Sequence, residues 1–186
     1  MAPHLVVMGS SLGGLQALKT LLPALPEDFS AALILVLHRG KEESSNLLPP
    51  LNSMCALPVA FPSDKEPILA GHVYVAPPNY HLLIEDDHFA YSMDEPEDFA
   101  RPSINVLFES AAEAYGANVT GIVLTGLLRD GARGLAVIHG NGGEAVVQSP
   151  HDAVASSMPL AALAAVPSAH VLTLAEIGKL LAKMTY

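Results

Sequence analysis

One hydroxyl, one imidazole and one carboxylate in this sequence each follow an apolar run that ends in glycine or polar residues. Ser11 lies in Gly9-Ser10-Ser11-Leu12-Gly13-Gly14, directly after Leu5-Val6-Val7-Met8. His38 follows Ala32 to Leu37, and Asp130 comes close behind Thr125-Gly126 after Val119 to Leu124. These side chains are the inventory of a nucleophilic triad. A serine hydroxyl is a weak nucleophile until a neighbouring imidazole takes its proton. The imidazole in turn needs an acceptor on its other nitrogen, to fix the tautomer and stabilise the cation that forms. Glycines around the serine permit a tight turn that exposes its oxygen, and the following helix N-terminus supplies donors to an oxyanion. The Leu12 N–H is the candidate donor; one such group is typically worth about 3–4 kcal/mol of barrier.

Plainer readings stand beside this one. A Gly/Ser-rich strand-to-helix turn is also a common phosphate cradle. This turn lacks the lysine of a P-loop, and its glycines do not fit G-x-G-x-x-G. His38 alone would serve as a satisfied strand-end histidine, and Asp130 alone as a helix N-terminal carboxylate. The order Ser–His–Asp also matches none of the three familiar triad orders.

The elements that must position these residues alternate strand and helix. Leu5–Met8, Ala32–Leu37 and Val119–Leu124 are apolar runs of buried parallel-strand type, with shorter strands at 58–61, 72–75 and 144–148. Leucines at 12, 15, 18 and 22 predict a helix that Pro23 stops, and residues 43–51 a poorer one broken by Pro49-Pro50. Residues 82–84 and 89–91 around Asp86-Asp87 predict a β-hairpin. Ser103 caps a predicted helix to Tyr115, and further helices are expected at 131–139, 153–165 and 174–184. Residues 1–186 read as one α/β domain: a doubly wound, mostly parallel sheet between helices in three layers, with an inserted antiparallel hairpin. In such sheets sites lie beyond the carboxyl ends of the strands, where Ser11, His38 and Asp130 fall.

Composition narrows the function classes. Apolar residues make up 51% and charged residues 15%, enough to bury a sizeable core, and the net charge is −10. Nine scattered Lys and Arg residues argue against nucleic acid as a partner. No apolar run reaches the roughly 18–20 residues that span a bilayer, so no membrane insertion is expected. The single cysteine, Cys55, excludes an internal disulfide and fits a cytoplasmic setting. His81, His88, His139, His151 and His170 lack zinc-ligand spacing and are expected at the surface. Residues 94–98 read as a solvated acidic loop and Met158 as core.

At the triad residues the sequence resembles the CheB protein-glutamate methylesterase family of bacterial chemotaxis, specifically its catalytic domain. Gly9 to Gly14 is similar to the family's G-A-S-x-G-G, with the nucleophile at Ser11 and Ser10 in the alanine position. Gly71-His72-Val73-Tyr74-Val75-Ala76-Pro77 and Arg101-Pro102-Ser103-Ile104-Asn105-Val106-Leu107-Phe108 resemble two further segments, the latter with Asn105 where Asp is frequent. Leu124 to Gly134 resembles L-T-G-x-x-x-D-G-A-x-G, with Asp130 as its aspartate and Leu127-Leu128 where Met-Gly is common. The resemblance implies hydrolysis of γ-glutamyl methyl esters on the cytoplasmic helices of chemoreceptors, with glutamine deamidation as a second activity, and no metal or organic cofactor. Family chains typically begin with a phosphorylatable receiver domain. Here the first strand starts almost at residue 1, so that switch is expected to be absent and the groove around Ser11 and His38 uncovered. Two rival classes stay open: a weakly catalytic or non-catalytic partner-binding derivative, motivated by Leu127-Leu128, and a nucleotide-binding module using the Gly9–Gly14 turn.

Overall fold

Apolar runs without alternation must be covered on both faces, which places them at the centre of a parallel sheet. The computed structural model describes residues 3–38 and 46–185. Its seven-stranded sheet contains β1 (His4–Ser10), β2 (Ala31–Leu37), β3 (Val59–Ala60), β4 (His72–Val75), β7 (Val119–Val123), β8 (Glu144–Gln148) and β9 (His170–Leu172). The order is β3-β4-β2-β1-β7-β8-β9, and every pairing is parallel. Strands β5 (His81–Glu85) and β6 (His88–Ser92) pair antiparallel as a separate two-stranded sheet.

Successive β1 side chains go to opposite faces, so the sheet divides two cores. Leu5 and Val7 pack with Ile104, Leu107 and Phe108 of α3 (Ile104–Tyr115), Leu135 of α4 (Ala132–Gly140) and Met158 of α5 (Ser157–Ala165). Leu82, Ile84 and Phe89 of the hairpin join that layer. Val6 and Met8 pack with Leu18 and Leu21 of α1 (Gly14–Leu21), Leu51 of α2 (Leu48–Met54) and Ile177 of α6 (Leu174–Leu181). Truncating one of these buried leucines to alanine costs about 2–5 kcal/mol.

Several boundaries differ from expectation for local reasons. Pro49 and Pro50 open α2 instead of breaking it, since a first-turn residue needs no N–H donor; residues 43–45 lie outside the described segments. The helix expected from 153 starts at Ser157, because Ala155 N–H donates to Thr125 Oγ1 and its carbonyl accepts from Gly126 N. Helix α1 starts at Gly14, not Leu12, leaving Ser11 to Gly13 as a turn. Strand β9 has only three residues, mostly exposed, and carries no apolar run to announce it.

Candidate active site

Strand register brings the candidate residues together. Ser10 lies opposite Leu37 and Gly9 opposite Val123, so β1, β2 and β7 end nearly level. After β1 the chain builds β2 and β4 on one side, then returns to build β7 and β8 on the other. Ser11 therefore sits at the switch point, where open parallel sheets bind ligands.

The serine turn is pinned from β7. Ser11 N donates to Thr125 O at 3.0 Å, and Gly14 N to Ser11 O at 2.9 Å. Thr125 Oγ1 donates to Leu12 O at 2.9 Å. Gly13 takes φ +83°, a left-handed conformation that glycine adopts freely. Gly126 is required by close approach: a Cβ there would lie 2.9 Å from Ser11 Cβ and would overlap Met158 Sδ. The adjacent serines differ sharply. Ser10 is buried and its Oγ donates to Thr125 O at 2.8 Å, whereas Ser11 lines an open cleft. Among the described residues the Leu12 N–H makes no backbone hydrogen bond.

His38 follows the end of β2, with its N–H on Ser10 O at 2.9 Å. Its Nε2 lies 3.0 Å from Asp130 Oδ2. The ring N–H is not aligned with that oxygen, so the contact is an ion-pair distance without hydrogen-bond geometry. Asp130 is buried and fully engaged: Oδ1 accepts from Ser103 Oγ and Asn105 N, both at 2.9 Å, and Oδ2 from Ile104 N at 2.7 Å. The carboxylate thus occupies the N-terminus of α3, where the helix dipole favours negative charge. Burial pushes its pKa up, but His38 and the Ile104 and Asn105 N–H groups outweigh burial and hold the pKa below the ordinary aspartate value.

Asn105 returns the interaction. Its Oδ1 accepts from Gly131 N and Gly134 N, both at 2.9 Å, and so caps α4, the helix that follows Asp130. Each helix start is held by a side chain from the other's region. Behind this clasp lies His81, which is buried, contrary to the surface position expected from sequence. Its Nδ1 accepts from Ser103 N at 3.2 Å and its Nε2 donates to Glu95 O at 3.0 Å, partners that fit the neutral ring. Ser103, Asn105 and His81 support Asp130, and sequence reasoning identified only the first, as a helix cap. Glu97, Asp98 and Asp130 also bring carboxylates within 4.8 Å of one another. Their charges are already matched, Glu97 by Arg133, Asp98 by Arg129 and Asp130 by the α3 N-terminus.

Ser11, His38 and Asp130 line one cleft of about 530 Å³, together with Leu37, Leu47 and Phe61. Residues 6–181 match the model of the CheB methylesterase family. The chain belongs to the CheB methylesterase family. A Leptospira interrogans protein named for protein-glutamate methylesterase/protein-glutamine glutaminase activity is 44% identical over 180 residues, 96% of this chain and 93% of that protein. A Pseudomonas fluorescens protein-glutamate methylesterase/protein-glutamine glutaminase is 37% identical over 161 residues, 86% of this chain but 48% of the relative. The crystal structure of the Thermotoga maritima CheB methylesterase catalytic domain superposes with a TM-score of 0.93 at 27% identity, covering 100% of both chains.

Family membership gives one departure a structural meaning. Leu128 stands where CheB sequences commonly have glycine, yet it keeps φ +66°. The backbone path of the loop before Asp130 is held in the left-handed region, at a cost of about 1–2 kcal/mol for a residue with a Cβ.

Proposed function

We propose that this chain is a serine carboxylic-ester hydrolase, one catalytic domain that demethylates γ-glutamyl methyl esters on cytoplasmic helices of chemoreceptors and deamidates glutamine there. Ser11 Oγ attacks the ester carbonyl while His38 takes its proton. Because Nε2 faces Asp130, Nδ1 is the nitrogen left for that proton. Asp130 orients the ring and balances the imidazolium. The Leu12 N–H donates to the oxyanion of the tetrahedral intermediate. Collapse expels methoxide, which takes the proton from His38 and leaves as methanol. Water then attacks the acyl-serine with His38 as base, releasing glutamate and restoring Ser11; on glutamine the first leaving group is ammonia.

The observation that carries this reading is the 3.0 Å approach of His38 to a buried, charged Asp130, with Ser11 in the same cleft. The phosphate-cradle alternative is disfavoured because the Gly9–Gly14 turn carries no P-loop lysine and its glycines do not fit G-x-G-x-x-G. A cytoplasmic location goes with that proposed substrate, and no described helix is long and apolar enough to cross a membrane. Methanol release from methylated chemoreceptor tests the proposal: the unsubstituted chain is expected to release it and Ser11→Ala to fall to background. Equal release by both would remove Ser11 from the mechanism. No release by either would favour a partner-binding derivative.

A further inference from the structure

The mouth of the cleft carries large apolar side chains where neither the core nor the local backbone calls for them. Phe99 is 94% exposed, and Leu127 and Leu128 are 50% and 63% exposed, yet all three line the cavity that holds Ser11 and His38. Phe99 occupies a two-residue turn closed by hydrogen bonds in both directions between Glu97 and Ala100, at 3.0 and 2.9 Å. Asp98 at φ +46° and Phe99 at φ +67° give that turn the primed form, whose second central position favours glycine. The turn is braced from outside. Arg129 pairs with Asp98 at 3.2 Å, Arg133 with Glu97 at 2.7 Å, and Asn105 Nδ2 donates to Asp98 Oδ2 at 3.3 Å. Leu128 shares the left-handed backbone. Two non-glycine residues in glycine conformations, both presenting apolar side chains at one cleft, fit strain held for recognition.

We infer that Phe99, with Leu127 and Leu128, forms an apolar rim that grips the helical protein substrate beside its ester-bearing glutamate and selects protein esters over free small ones. The inference rests on the esterase reading above. A cavity of about 530 Å³ is the size that encloses a whole drug-sized molecule, so one esterified side chain leaves room at its mouth for the neighbours of that residue. On a helix those neighbours are the side chains three and four positions away, on the same face. Apolar side chains at those positions would cover the Phe99 ring, as an aromatic anchor is covered in a protein interface.

The test compares methylated chemoreceptor with p-nitrophenyl acetate for the unsubstituted chain, Phe99→Gly, Leu128→Gly and Met93→Ala. Glycine suits both strained positions, so neither glycine variant should lose thermal stability. For Phe99→Gly, kcat/KM on receptor relative to the small ester is expected to fall at least about tenfold, chiefly through KM. Leu128→Gly should fall less, and Met93→Ala should leave the ratio unchanged, since Met93 is 70% exposed but does not line the cleft. An unchanged ratio in a folded Phe99→Gly protein would overturn the rim. Failure of the unsubstituted chain to demethylate receptor would take down the esterase reading and the rim with it, a different and separable result.

Discussion

The back and the mouth of the cleft follow opposite rules. At the back, Asp130 is buried and accepts from three donors, and Asn105 accepts two N–H groups in return. At the mouth, Phe99 and Leu128 expose apolar surface on left-handed backbone. A carboxylate that must stay charged and fixed needs satisfied partners, because an unpaired buried group costs heavily. Side chains that meet a partner need the reverse, accessible surface not committed to the fold. The contrast separates residues that hold the chemistry from residues that choose what reaches it.

Substitutions at the back should therefore damage chemistry most. Asp130→Asn is expected to lower kcat on any ester by about 10³–10⁴-fold, because it removes the charge that balances the imidazolium; a drop below tenfold in a steady-state assay would mean Asp130 is only a cap. Asn105→Ala leaves the Gly131 and Gly134 N–H groups without their acceptor, and urea unfolding should show a loss of about 2–4 kcal/mol. An equal loss for a mouth substitution would erase the distinction.

The smallest effects concern protonation and strain. The folded pKa of Asp130 is depressed, so its stabilising contribution is fully present above the unfolded value, near about 3.9. It disappears as pH falls through the lower folded pKa. The destabilisation caused by Asp130→Asn, measured by urea unfolding, should accordingly shrink on going from pH 7 to pH 2–3; growth at acid pH would reverse the sign. At the mouth, Leu128→Gly relieves the left-handed strain and frees the unfolded chain, two opposed terms of similar size. Its unfolding free energy should stay within about 1 kcal/mol of the parent, on the stabilised side.

Much of the back was legible because it depends on local pattern. The apolar runs at 5–8, 32–37 and 119–124 had to be central strands, and the polar residues at their ends had to meet at one sheet edge. Ser103 announced itself as a cap just before an apolar helix. What lay hidden depends on approach in three dimensions. His81 looked like a surface histidine because its partners, Ser103 and Glu95, are distant in sequence and lie on loops. The role of Asn105 required the starts of α3 and α4 to lie side by side. The Phe99 turn was hidden because Glu-Asp-Phe-Ala carries no glycine to signal a primed turn.

Ser11, not the neighbouring Ser10, is the proposed nucleophile, with His38 as the base that activates it. A fluorophosphonate probe followed by tandem mass spectrometry of the peptide spanning both serines tests this directly. An adduct on Ser11 alone is expected, with labelling slowed by orders of magnitude in His38→Ala. An adduct on Ser10, or labelling of Ser11 that does not depend on His38, would contradict it.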